Sequence, residues 1–300
     1  MARHTGFLSL VFAALIGCQD TLSDSPHKSH STLAQAKAKG SILVGYANEA
    51  PYAYYDSKQN RLTGEAPEIA RLVFREMGIE KIEGVLTEFG ALIPGLKAKR
   101  FDVIAAGMYI TPKRCKEVAF SNPTYGIGEG FIVKSNNPLN LHSYEDVANH
   151  DTAKLGVVAG AVEVSYAKAL KIPDDRLMIF PDALSALAGV QTGRADAFAA
   201  TSLTIQTLIN KANDKSIERA KPFNDPVING KDVIGYGAFA LRREDSALIK
   251  ALNEELGSFL GTEKHLETVK PFGFTRNEMP GQITANEICS SGSFPDEKTG

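Results

Sequence analysis

Short apolar runs alternate with amphipathic stretches along most of the chain. Segments 41–45, 82–86, 101–106, 130–134, 155–158, 177–180, 195–200 and 233–241 carry three or more closely spaced apolar residues each. Runs of that length, bounded by Gly, Pro or polar clusters, predict strands covered on both faces. Between them, Ile69, Leu72, Val73 and Met77 recur at helical spacing and predict a helix that starts near Gly64 and stops at Gly78. Further helices are predicted around Leu92–Ile93–Leu96, from Thr111, at 141–147, up to Leu170, at 183–192, from Thr201, and at 245–260 and 262–269. Segment 119–123 reads as a turn, and an irregular tail follows 269.

Strands alternating with helices make an α/β protein with mainly parallel sheets. The rhythm restarts near residue 154, which predicts two lobes. The first is discontinuous, 36–133 plus 237–290, and the second, 134–236, is inserted into it. The links near Lys134 and Gly235–Gly237 are candidate hinges. In open α/β sheets, ligands bind beyond the C-terminal strand ends. The loops at those ends hold Glu49 and Tyr52, then Phe89, then Gly107 to Arg114, then Gly160, Ala161 and Val162, and finally Thr201.

Of these loops, the one closing DVIAAGMYITPKR, 102–114, has the clearest chemistry. An apolar run ends at Gly107, and Thr111-Pro112 starts a helix, with Thr as cap and Pro at the first helical position. A helix N-terminus favours an anion, and Arg114 on its first turn adds a guanidinium fork that fits a carboxylate. Tyr109 puts a ring in the same loop.

The 300 residues suffice for two units of ordinary size, and a hydrophobic fraction of 43% with 23% charged residues is that of a globular protein. A net charge of −2 gives no reason to expect nucleic acid as a partner. Six scattered His show no metal-ligand spacing, so no metal or other cofactor is expected. At the N-terminus, Arg3 precedes an apolar run, 6–17, that is too short for a membrane span and has the form of a secretory signal. Its end, LIGC, resembles the lipobox of bacterial lipoproteins. This makes residues 1–17 a signal peptide, Cys18 a lipidation site and 18–35 a polar, Ser-rich tether. The alternative is an ordinary signal with a nearby Cys. Cys115 and Cys289 remain, either bonded to each other or free.

Several stretches together resemble the periplasmic solute-binding proteins of ABC importers, in the polar amino acid group, family 3. They are GYANEAPYAY, LTGEAPEIARLV, FGALIPGLKAKRFDVIAAGMYITPKR, FSNPTY, VVAGAVE and GRADAFAATS. The resemblance runs from about residue 38 to 275. It implies a two-lobed type II periplasmic-binding-protein fold with the ligand between the lobes, no enzymatic step, and an ABC permease as partner. It also implies a monomer in the periplasm or at the outer face of the cytoplasmic membrane, with Arg114 holding the ligand carboxylate.

The departures are as informative. Amino-acid binders of this family usually carry a small hydroxyl residue at the position of Tyr109 and an Asp at that of Thr201 for the α-ammonium. Their second-lobe loop commonly carries hydroxyls where this chain has Gly160-Ala161-Val162. A buried ammonium without its carboxylate loses a charged hydrogen bond of about 1.5–3 kcal/mol and can cost more. Tyr52, Phe89 and Tyr109 instead offer a cage for a diffuse cation, with Glu49 as its counter-charge. Within the family the chain most resembles the ectoine/hydroxyectoine-binding proteins, so the expected ligand is a compact zwitterion. The expected contacts are Glu49, Tyr52, Phe89, Gly107, Tyr109, Thr111, Arg114, Gly160, Ala161, Val162 and Thr201, the loop 160–162 contributing its backbone N–H groups. Alternatives are a polar amino acid, a betaine, or an enzyme such as a cyclohexadienyl dehydratase with Glu49 or Glu163 as acid or base.

Overall fold

In chain order, the computed structural model begins with α1 (Thr32–Lys39), β1 (Ser41–Tyr46), the hairpin β2 (Tyr54–Asp56) and β3 (Arg61–Thr63), and α2 (Glu65–Glu76). β4 (Lys81–Leu86), α3 (Leu92–Lys97), β5 (Val103–Tyr109), α4 (Pro112–Glu117), β6 (Ala119–Phe120) and β7 (Tyr125–Ile127) follow. Next come β8 (Glu129–Lys134), α5 (Tyr144–Asn149), β9 (Leu155–Val158), α6 (Glu163–Ala169), β10 (Leu177–Phe180), α7 (Ala183–Gln191), β11 (Ala197–Thr201) and α8 (Ser202–Ala212). The chain closes with β12 (Ile217–Arg219), the hairpin β13 (Val227–Ile228) and β14 (Lys231–Asp232), β15 (Gly235–Leu241), α9 (Ser246–Phe259), α10 (Glu263–Val269) and α11 (Ala285–Ser290). Residues 1–2 and 31–291 are described. The expected signal peptide, Cys18 and most of the expected tether lie outside the described residues.

Two sheets organise these elements. The first runs β4-β1-β5-β15-β6, with β7 also on β15, and the second runs β10-β9-β11-β8-β12. β1 pairs in parallel with β4 and β5, and β9 pairs in parallel with β10 and β11. In each sheet one strand runs against this grain: β15 in the first and β8 in the second. The inner parallel strands are largely apolar because both faces are covered, with β9 and β11 buried at every position, whereas edge strand β4 carries Lys81 and Glu83 and is mostly exposed. α2 turns Ile69, Ala70, Val73 and Phe74 inward; of the face its spacing predicts, Ile69, Val73 and Met77 are buried and Leu72 is half-buried.

Three expectations are corrected. Residues 32–35, read as tether, are helical: Ser31 caps α1 through its hydroxyl, and Gly40 ends it at φ 71°. The strand at 130–134, expected to close the first lobe, starts at Glu129 and bonds to β11 and β12 of the second sheet. The chain therefore crosses between the sheets at Gly128, not near Lys134, and it returns at Gly235 where β15 begins. The tail carries α11, which the structure ties back by a disulfide between Cys289 and Cys115 of α4, with Cα atoms 5.9 Å apart.

Candidate functional site

The ends of β1, β5, β9 and β11 face one cavity, with an empty volume of about 430 Å³ counting its mouth. Glu49, Tyr52, Phe89, Gly107, Tyr109 and Arg114 line it from the first sheet, and Ala161, Val162, Glu163 and Thr201 from the second. Nine of the eleven residues expected from the sequence are among these. Thr111 stands behind: its Oγ1 accepts the Arg114 N–H at 3.2 Å and caps α4. Gly160 enters through its backbone alone.

Local structure fixes each group. Gly107 has φ 64°, and a Cβ there would come within 2.5 Å of the Tyr52 ring. Only glycine allows both that turn and that contact. The Arg114 guanidinium donates to Tyr109 O at 2.8 Å and to Gly160 O at 2.9 Å, and its Cζ lies 5.5 Å from the Phe89 centroid. Burial depresses its pKa, which the nearby Glu163 charge partly offsets. It stays charged, since an unperturbed guanidinium titrates far above neutrality.

Across the cavity, Thr204 donates to Glu49 Oε1 at 2.8 Å, and Tyr52 OH donates to Thr201 Oγ1 at 2.8 Å. Burial raises the Glu49 pKa, with the Thr204 hydrogen bond opposing. Burial also lifts Tyr52 and Tyr109 well above the usual phenol range, so both keep their protons. These bonds join the two sheets directly, so the structure is closed.

Several features differ from the sequence reading. The loop 160–162 was expected to present N–H groups. Instead the Gly160 carbonyl faces Arg114, while the Ala161 N–H is used by Val158 O. Tyr109 lines the cavity, but its ring packs where a Cβ on Gly235 would overlap it, and its OH reaches Ile127 O at 3.4 Å. Phe89 meets a protein cation, Arg114. Tyr125 and Phe274 were missed: Tyr125 stacks on Tyr52 at 5.0 Å between centroids, Phe274 meets Tyr52 edge-on at 5.8 Å, and Tyr125 OH donates to Gly107 O. The FSNPTY motif marked Tyr125; nothing local marks Phe274. Glu163 lines the cavity and is buried, although the sequence offered it only as a rival acid. Among the described residues no group of His, Cys, Asp and Glu is arranged to hold a metal.

Two lobes of this topology, with an enclosed cavity holding a guanidinium, a carboxylate and aromatic walls, define a type II solute-binding protein. The chain belongs to the bacterial extracellular solute-binding proteins, family 3, whose model matches residues 42–273. It is 39% identical over 264 residues to a probable amino-acid ABC transporter periplasmic-binding protein, y4tE, of Sinorhizobium fredii, covering 87% of this chain and 86% of that one. Among solved structures, EhuB in complex with hydroxyectoine superposes with a TM-score of 0.79 at 32% identity, over 87% of this chain and 99% of EhuB. AncCDT-1, an ancestral amino acid-binding protein and precursor of cyclohexadienyl dehydratase, superposes at 0.69 with 26% identity, over 81% of this chain and 99% of the other.

Proposed function

We propose that the protein captures a compact zwitterion, ectoine or hydroxyectoine, between its lobes and delivers it to an ABC permease without chemical change. In this reading it is an exported monomer, held at the membrane by a lipid on Cys18. The observation that carries the ligand assignment is the charge pattern of the cavity. Arg114 is the cation available to a carboxylate, Glu49 lies across from it beside Tyr52, and position 201 is a threonine. A planar amidinium donates N–H to Glu49 and lays its face on the Tyr52 and Phe89 rings, at about 0.5–2 kcal/mol per cation–π contact. Tyr109 closes the side, and Gly107 and Gly160 to Val162 let backbone approach. The likeness to EhuB supports the same ligand class.

A second reading is favoured by Glu163, a further cavity carboxylate that could hold the ammonium of a polar amino acid. Isothermal titration against ectoine, hydroxyectoine, proline betaine, glutamine and arginine separates the two. Tight binding of ectoine or hydroxyectoine with silent amino acids is expected. A tight amino acid with silent ectoine would overturn the ligand assignment. Arg114→Ala should cost at least about a hundredfold in affinity, since it removes charged hydrogen bonds worth about 1.5–3 kcal/mol each. A mutant within a fewfold of wild type would remove the carboxylate assignment. Phe89→Ala should weaken cationic zwitterions through both the ring and the seat of Arg114.

A further inference from the structure

Behind the cavity lie two buried carboxyl groups that the binding scheme leaves unused. Glu163 opens α6 and lines the cavity, and Glu129 opens β8; they are 5% and 3% exposed. Glu163 Oε2 and Glu129 Oε1 each lack a hydrogen-bond donor among the described residues, and the two carboxyl groups approach within hydrogen-bonding reach of each other. Two ionised carboxylates are both acceptors, so the pair bonds only when one of them carries a proton. Tyr144 OH donates to the remaining oxygen, Glu129 Oε2, at 3.3 Å.

We propose that Glu129 and Glu163 share one proton at the rear of the cavity, and that a ligand carboxylate arriving at Arg114 makes Glu163 take up a second. This rests on the assignment of Arg114 as the carboxylate anchor. Across the closed cleft the Arg114 charge stabilises ionised Glu163. A ligand carboxylate cancels that charge and adds a negative one beside it, which favours the protonated form. The acid O–H formed adds a donor from the second lobe, where the Gly160 carbonyl is an acceptor and the Ala161 N–H is occupied.

The surroundings agree. Burial pushes Glu163 up to about 7 and Glu129 well above the carboxylate range. Glu163 is faced by Glu49 and Arg114 from the first-sheet loops and by Glu129 from β8. Glu129 is faced by Asp225 from the return segment, whose Oδ1 accepts its N–H at 2.6 Å, and by Tyr144 of α5. Tyr166 of α6 lies within the field of both acids, and Asp225 is flanked by Arg219 and Asp232. Glu129 also lines a separate groove at the crossing segments, with Gly128, Arg219 and Asp225. That groove gives the proton a path from bulk water. One O–H bond forms on Glu163, and the buffer supplies the proton.

The sign follows. With the cleft closed and no ligand carboxylate at Arg114, Glu163 titrates near 7, and with a ligand carboxylate beside Arg114 it titrates higher, so the linked gain is full below pH 7 and fades as pH rises through the complex's value. Affinity for ectoine should fall by up to about tenfold per pH unit above 7. Titrations of the full chain with ectoine at pH 8, in phosphate and in Tris, read the proton count from the different ionisation heats of the buffers. Uptake approaching about one proton is expected, with none in Glu163→Gln. No uptake or net release in wild type, or uptake persisting in the variant, would overturn the proposal. If ectoine gives no binding heat, the ligand assignment falls. Infrared difference spectra of ligand-free wild type against Glu129→Gln at pH 8 then decide the pair. A carboxylic-acid C=O component lost in the variant supports it, and spectra without that loss sink it, since Glu65 contributes equally to both proteins.

Discussion

Glu65 shows how far one side chain's setting departs from its sequence appearance. By pattern it is an acid on the first turn of α2, where the helix dipole welcomes negative charge. In the fold it is fully buried; Thr124 Oγ1 donates to Oε1 at 2.6 Å, and Oε2 has no partner among the described residues. Burial outweighs that hydrogen bond and lifts its pKa to about 8. Between about pH 4.5 and 8 the unfolded chain is ionised at this position while the folded chain holds its proton. Glu65 therefore costs stability as pH rises through that window, by up to about 1.4 kcal/mol per unit. Urea unfolding at pH 5, 6.5 and 8 should show Glu65→Gln gaining on wild type at each step. A constant difference between the two proteins would mean that Glu65 is ionised in the fold. Glu163 teaches the same lesson at the site. In sequence it is an ordinary first-turn acid of α6; its burial at the cavity, which no local pattern shows, is what raises its pKa. Arg114 and Glu49 were legible because each sits within a few residues of a strand end, where sheet topology alone puts ligands.

Among the elements, the long ones were legible; of the short ones, α4 was announced by its Thr111-Pro112 start, whereas α11 and the hairpin β2–β3 were not. α2 and α9 carry several turns of apolar spacing, and the inner parallel strands β5, β9 and β11 announce themselves as apolar runs. α4 and α11 have six residues each, too few to be stable alone. Tertiary ties hold them: Thr111 and Pro112 start α4, a capping box of Thr284 and Glu287 starts α11, and Asn122 Oδ1 accepts the Ala285 N–H. The Cys115–Cys289 disulfide then joins the two helices across 174 residues of sequence. A cross-link closing so long a loop contributes about 2–4 kcal/mol, chiefly by restricting the unfolded chain. Replacing both cysteines by serine should lower the urea midpoint accordingly and leave ligand affinity within a fewfold, because Arg114 keeps its bonds to Tyr109 O and Gly160 O. An unchanged midpoint would mean that α11 adds no constraint. The hairpin β2–β3 was missed for a related reason: its three-residue strands pair only with each other and carry no apolar run.

At the scale of the whole molecule, the restart of the strand–helix rhythm near residue 154 revealed a second sheet, but not where the chain crosses into it. β8 is an apolar strand that fits either sheet by composition; its partners β11 and β12 lie some 65–85 residues later, so its membership is a non-local fact. The contact that closes the cleft is likewise non-local. Gly90, in the turn beside Phe89, meets Gly160 in the loop after β9, and a Cβ on Gly160 would lie 2.6 Å from Gly90 Cα. Gly160 also has φ 76°, so changing it would strain its own loop as well as the contact. Gly90 has no such constraint, and a Cβ there would meet Ala159 O at 3.2 Å, in the facing loop. Gly90→Val therefore directs its Cβ against the facing loop of the other lobe. Overpacking of this kind costs about 1–3 kcal/mol, here charged to the closed form alone. Ectoine affinity should drop by roughly tenfold or more, since capture depends on closure. Small-angle scattering should show the ligand-induced compaction of wild type reduced in the variant, with urea unfolding of the ligand-free protein little changed. If the variant compacts as fully as wild type and binds as tightly, the Gly90–Gly160 contact does not set the closed position. Closure would then be limited by the Tyr52–Thr201 and Glu49–Thr204 bonds, which Thr204→Val would test directly.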